Sequence, residues 1–319
     1  MSRFRSLLLL PVVFMALAQA VDAPPEQLLR AGRADEARRV LNAAVNRNPD
    51  DAQAYNLLAR MYFQLELWDS SLKMAEKAAN LQQNNSDYHL WLGRAAGRKA
   101  EASNPFTAWG LARRVHAEFE RAVALNGDNL SARSDLAEYY LEAPAFLGGD
   151  KKRARDQGDA VRDKDPALAS YIFAKIAEKQ GSSSAEEQYK QAIRQSGNQS
   201  RYWIELAHFY RRAGRLTEMD AAVAQAMAGI HQDSAPEYEG AYLFLRTNRN
   251  LNNAVQMLRR YLSNTTASED APAFRAHYLL GELLLKQGDK KGAAEQYRAC
   301  LLLASEFRPA QDALARLSR

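Results

Sequence analysis

The chain has 319 residues, 47% of them hydrophobic, with only 16 Gly and 10 Pro. It is therefore long enough for a large buried core and too poor in Gly and Pro for a disordered or collagen-like polymer. The formal charge of +5 falls to +3 once Arg3 and Arg5 are set aside, a mild and dispersed excess that argues against nucleic acid as a partner. The single cysteine, Cys300, rules out an intrachain disulfide.

The first predicted element is a leader. "MSRFRSLLLLPVVFMALAQA" has a basic start (Arg3, Arg5), an apolar run from Leu7 to Leu17, and the small-residue site Ala18-Gln19-Ala20. That is the three-part pattern of a secretory signal peptide over 1–20, with cleavage expected after Ala20. An uncleaved anchor is the competing reading, but a run of about 11 residues falls short of the roughly 20 that a span needs. No other apolar run is long enough to cross a bilayer, and no Cys follows the site to carry a lipid. The expected location is periplasmic or secreted, with the remaining domain over 21–319.

Downstream, one rhythm recurs. Gly32, Ala37, Leu41, Ala44 and Pro49 come first, followed by Tyr55, Leu58, Ala59, Tyr62, Ser71, Ala75 and Ala78 at an offset of 34 residues. The third unit has Leu92 and Gly93, then Phe119 and Ala122. The fourth has Leu136, Ala137 and Tyr140, then a helix from Lys151. The fifth has Ala185, Tyr189 and Ala192, and the sixth Trp203, Leu206, Ala207, Tyr210, Gly214 and Ala226. In the seventh, "YEGAYLFLRTNRNLNNAVQMLRRYL", Tyr261 is bulky where the others are small. The eighth runs through His277, Leu280, Gly281, Leu284, Gly288, Ala293, Tyr297 and Cys300, and "PAQDALARLSR" is predicted as a terminal capping helix. Small residues at the eighth, twentieth and twenty-seventh places let paired helices approach, aromatics fill the space between, and Gly at the fifteenth allows a tight turn.

This pattern resembles the tetratricopeptide repeat, a 34-residue helix–turn–helix, over about 25–319. The resemblance implies an all-α, right-handed superhelix of about eight helix pairs with a C-terminal cap. It also implies a binding scaffold whose concave groove is lined by the first helix of each pair. The "YYLEAPAFLGGDKKRA" stretch looks like loops of exported bacterial members of the family.

Two candidate surfaces follow. Extra residues, predicted as inserted loops, lie near 97–114 and 142–153, within the third and fourth pairs, and should emerge on one edge. They join apolar tips (Phe106, Trp109, Phe146) to basic residues (Arg98, Lys99, Arg113, Arg114, Lys151, Lys152, Arg153). They are read either as a partner-binding edge or as a lid packed on the repeats. The groove positions carry Arg60, Arg94, Arg201, His208, Arg211, Arg246, Arg275 and Tyr278, and the C-terminal half is the more basic. Arg clusters suit carboxylates or phosphates, which points to a protein or peptide partner, an acidic segment among the candidates, or to an anionic glycan. An ordinary solvated helix face is the alternative. Asn56 and Arg60 do not reproduce the family's carboxylate clamp.

No catalytic motif, phosphate-cradling loop or metal-ligand spacing is present in the sequence. The five histidines are scattered, and His89 and His277 occupy inter-helix packing positions. Gly148-Gly149-Asp150 reads as a turn with Asp150 as an N-cap. The expectation is a non-enzymatic scaffold without cofactor, acting as a monomer or within a larger envelope complex. The alternatives are an accessory subunit of an export or assembly machine (polysaccharide, pilus or outer-membrane assembly) and an enzyme with an unrecognised site.

Overall fold

The computed structural model describes residues 23–229, 235–263 and 268–317. The leader and His231 lie outside them. Among the described residues there are seventeen α-helices in eight antiparallel pairs and a terminal helix. They are α1 (Pro25–Arg30), α2 (Ala34–Arg47), α3 (Ala52–Gln64), α4 (Trp68–Leu81), α5 (Ser86–Glu101), α6 (Pro105–Leu125), α7 (Leu130–Glu142), α8 (Lys151–Val161) and α9 (Pro166–Lys179). The array continues as α10 (Ala185–Gln195), α11 (Ser200–Arg212), α12 (Leu216–Ala228), α13 (Ala235–Thr247), α14 (Leu251–Ser263), α15 (Ala273–Lys286), α16 (Lys290–Leu303) and α17 (Arg308–Leu317). This is the all-helical α-α superhelix expected. No helix among the described residues is long and apolar enough to cross a membrane.

Local chemistry sets the pairs. Side chains of Asp51, Asn85, Asn104, Asn129, Asp150, Asp165 and Asp289 cap helix N-termini by accepting from backbone amides one turn in, each contributing about 1 kcal/mol. The small positions are buried as expected, among them Ala59, Ser71, Ala78, Ala226 and Ala293. A Cβ on Gly93 would sit 2.4 Å from the Phe119 ring, so the small eighth residue receives the large one from the second helix. Ser86 and Ser200, each opening a first helix, donate to the Ala122 and Ala226 carbonyls at 2.8 and 2.6 Å. His89 joins Glu118 at 2.6 Å and His277 joins Gln296 at 2.8 Å; both bridge helices of one pair, the packing role expected of them.

The two ends of the array meet. Leu28, Leu29, Leu41, Leu58, Met61 and Leu65 share one buried core with Phe274, Cys300, Ala304, Phe307 and Ala310. Arg60 grips the Glu269 carboxylate with two donors, one at 2.8 Å, and Gln64 donates to the Glu269 carbonyl at 3.1 Å. Arg275 donates to the Gln64 carbonyl and to Glu66, both at 2.8 Å. Tyr261, the bulky departure from the repeat, is buried and donates to the Ala271 carbonyl, which positions the connector that carries Glu269. α17 is therefore more than a cap: Phe307, just before it, and Ala310 enter the shared core.

Gly32 makes this closure possible. Its φ is +66°, and a Cβ there would lie 2.3 Å from the Ala273 nitrogen. Gly214 occupies the same place in the sixth repeat at φ +72°, with nothing within 4 Å. Gly214→Ala should cost only the left-handed strain, about 1 kcal/mol. Gly32→Ala should cost roughly 2–4 kcal/mol because backbone must also move. Chemical denaturation of the two variants checks this, and equal losses would remove the closure from the account.

Stability should also depend on acid. The Glu186 carboxylate accepts from Lys190 at 2.7 Å, Arg215 at 2.6 Å and Tyr210 at 2.8 Å. The bonds from Lys190 and then Arg215 hold its carboxyl down to about 2. The unfolded chain thus takes up this proton first as pH falls. The contribution is complete above the ordinary Glu value of about 4.3 and is lost as pH drops toward 2. Thermal melts between these limits should show a steeper decline for the native chain than for Glu186→Gln.

Candidate functional site: the long-hairpin edge and the concave face

The residues predicted as a loop at 97–114 are helix. α5 and α6 have 16 and 21 residues, against 13 and 14 in α3 and α4, and only Ala102–Asn104 separates them. Capping by Asn104 and Pro105 at the first turn allow helix to resume at once, so the extra length becomes a projecting hairpin. The 142–153 segment is a tight connection with a 3-10 turn at Ala145–Leu147. Gly148 has φ +98°, and a Cβ on Gly149 would fall 1.8 Å from the Ala143 oxygen. Asp150 then caps α8 as expected, accepting from Lys152 and Arg153 amides.

The two segments converge. The Trp109 ring lies 6.2 Å from Phe106 and 6.1 Å from Phe146, edge-on in both cases. The Tyr139 hydroxyl holds this register, since it lies 3.0 Å from the Ala112 carbonyl of α6 and 2.6 Å from the Leu147 carbonyl of the turn. His116 stacks on Tyr139 at 5.0 Å. Glu120 accepts from Tyr140 at 2.9 Å and from Arg153; burial alone would raise its carboxyl, but these bonds outweigh burial and lower it. Phe106, Trp109 and Phe146 remain 84%, 51% and 68% exposed, while Leu147 is buried. The packed lid is thus Leu147, and the three rings face outward.

Beside this tip, α5, α6, α7 and the turn that follows form an open, mainly apolar groove of about 450 Å³. Its walls include Phe63, Gly97, Val115, Phe119, Tyr139 and Leu147. Arg94, at its edge, is bonded to Asp135 at 2.6 Å and stacked on Trp91 at 4.9 Å. Arg98, also at the edge, pairs with Glu101 and lies over Trp68.

Three of the concave arginines, Arg60, Arg201 and Arg275, are also engaged. Arg60 and Arg275 serve the closure. Arg201 lies 4.4 Å over the Tyr202 ring and donates to its hydroxyl at 2.6 Å. With His208, 3.6 Å from Glu239, Arg201 lines a cavity of about 420 Å³. Arg246, Arg275 and Tyr278 line a neighbouring cavity of about 550 Å³. Arg211 is not in either, and its buried Nε has no acceptor among the described residues. Both cavities share Glu239 and Asp270, and Glu205 and Glu66 line one each. Burial raises the Glu205 carboxyl. Glu239 stands at a groove position of helix α13, but Glu66, Glu205 and Asp270 escaped the sequence reading, which followed helix positions of the repeat; Asp270 sits with Glu269 in a connector. Cys300 is inert in the shared core, its thiol pushed up to about 12 by burial.

Stacked antiparallel helical hairpins with an open edge and a lined concave face define a helical repeat protein built to present surface. The tetratricopeptide repeat family matches residues 28–94 and 238–312, the stretches on either side of the closure. These matches support a tetratricopeptide repeat protein. Solved structures similar to the chain include MamA (18% identity, TM-score 0.43, 55% of this chain and 95% of that one). TTC0263, a thermophilic TPR protein in Thermus thermophilus, is 20% identical, with a TM-score of 0.43 over 70% of this chain and all of that one. Yeast Tom70 is 14% identical, with a TM-score of 0.40 over 92% of this chain and 83% of that one.

The roles of ring and lid separate by mutation. Leu147→Ala should destabilise the fold by about 2–4 kcal/mol. Phe106→Ala and Phe146→Ala should stay within about 0.5 kcal/mol of the native chain. Urea titrations would show the division, and large losses from the exposed rings would restore them as structural.

Proposed function

We propose that this protein is an exported, non-enzymatic scaffold of the cell envelope, located in the periplasm, that holds a segment of another protein in the groove between α5, α6 and α7. The observation that carries this reading is the groove itself: an open, mainly apolar groove of about 450 Å³ on a hairpin array. Protein-recognition sites are dry at the centre and polar at the rim, and here Arg94, Arg98, Glu101, Glu138 and Glu142 border an apolar floor. The partner class that fits is an apolar helical or extended segment with charges at its ends. The acidic ligand expected from the concave arginines is not part of this reading, because carboxylates, a ring and a carbonyl already engage Arg60, Arg94, Arg201 and Arg275. The leader pattern at 1–20 supports export, and N-terminal sequencing of the secreted chain tests cleavage after Ala20.

Gly97 offers a direct probe. A Cβ there would meet only Val115, at 3.7 Å, and glycine within a helix weakens it by roughly 0.5–1 kcal/mol relative to alanine. Gly97→Ala should therefore raise stability slightly, and Gly97→Phe should fill the channel. Cross-linking in native envelope extract, read by mass spectrometry, should show a partner joined near residues 97–115 by the native chain. Capture should fall at least about tenfold with Gly97→Phe. Undiminished capture by a folded Gly97→Phe protein would rule out the groove.

A further inference from the structure

The groove reading leaves the aromatic tip without a role, and the tip stands on a different observation. Three of the largest exposed apolar side chains among the described residues, Phe106, Trp109 and Phe146, gather at one point from two separate segments. Exposed apolar clusters of this kind mark contact surfaces. α6 has seven residues more than α4, which carries the hairpin about 10 Å further at 1.5 Å per residue. The tip is open to solvent: its three rings are exposed, and nothing lies within 4 Å of where a Gly110 Cβ beside Trp109 would stand.

The surrounding charge is one-sided. Glu101 is paired with Arg98, Glu142 with Lys179, and the Asp150 side chain caps α8. Arg153 is consumed by Glu120. Arg113, Lys151 and Lys152 are exposed and have no ion pair among the described residues. An exposed aromatic cluster, with an unpaired arginine one helical turn after Trp109 and two unpaired lysines shortly after Phe146, matches a lipid interface, where rings seat among headgroups without a preformed pocket and anionic phosphates meet the cations. A protein pocket would instead require a matching cavity and opposing acids.

We propose that the Phe106–Trp109–Phe146 tip, with Arg113, Lys151 and Lys152 around it, docks the array peripherally on an anionic lipid surface. The groove beside it is then held close to the bilayer, facing along it. The contact is reversible and adds no span.

The test uses the chain from Val21, since 23–317 closes its own core without the leader. It measures sedimentation with phosphatidylcholine vesicles prepared with and without phosphatidylglycerol. The native chain should sediment with the anionic vesicles and come off as salt rises. The variant F106A/W109A/F146A should lose at least about tenfold in partition, with helicity and monomeric state unchanged. K151E/K152E should lose severalfold, and Gly97→Phe should bind as the native chain does, which separates this surface from the groove. Absence of native binding, or native-like binding by the triple variant, overturns the proposal. A native dimer that the triple variant converts to monomer also overturns it, by assigning the tip to a second copy.

Discussion

The Glu269 carboxylate lying in the fork of Arg60 is the contact on which the rest of the molecule's surface depends. A helical array with two free ends leaves an apolar face open at each, and such arrays ordinarily need polar terminal repeats. Here α1 has only six residues and cannot shield the pair it begins. The array instead turns its first and last pairs toward each other, burying Leu28, Leu29, Phe274 and Phe307 in a common core. Burial of each large apolar side chain contributes roughly 1.5–3 kcal/mol, and the ion pair with its flanking amide bonds fixes the register. With one cysteine in the chain, no crosslink could do this work.

Closure decides which cations remain for recognition. Arginines at the concave positions read as a basic groove when each is counted alone. In the folded chain Arg60 and Arg275 are closure residues, Arg94 answers Asp135, and Glu205, Glu239 and Asp270 line the same cavities. The cavities of the concave face consequently carry acids in about the number of their arginines, and most of the arginines read as a basic groove are already engaged. The unsatisfied surface has moved outward, to the long hairpin, where apolar area and uncompensated charge lie together. A partner that must displace Glu269 from Arg60 would break a bidentate pair and leave charge unpaired, a costly exchange; one that enters the α5–α7 groove displaces only water.

Much of the fold was legible because the repeat is written in residue sizes. Ala59, Ala78 and Ala293 are small where paired helices touch, and Gly148-Gly149-Asp150 announces a turn and a cap; local sterics settle both. The convergence of 97–114 and 142–153 on one edge was also legible, because both lie at the same turn of neighbouring repeats. Their conformation was not. Asn104 and Pro105 restart a helix after three residues, and the composition of "EASNPFTAWG" reads equally well as a loop. Closure was illegible for a different reason: it pairs Arg60 with a residue 209 positions away, and no periodicity reports contacts between the first and last repeats. The misfit of Tyr261 to the pattern was its one local trace, since a buried tyrosine at a small position needs an acceptor, and that acceptor is the Ala271 carbonyl.

The closed array also makes the long hairpin a usable handle. In an open superhelix, flexing accumulates from repeat to repeat, and an edge feature on the third pair would swing relative to the ends. Joining the ends removes that freedom, because each pair is packed against a neighbour on both sides. The α5–α6 hairpin then projects from a rigid body, with α6 held to the 145–147 turn by Tyr139 and anchored at Glu120 by Tyr140 and Arg153. Groove and aromatic tip are built on the same pinned element, so whatever seats the tip also sets the direction in which the groove faces.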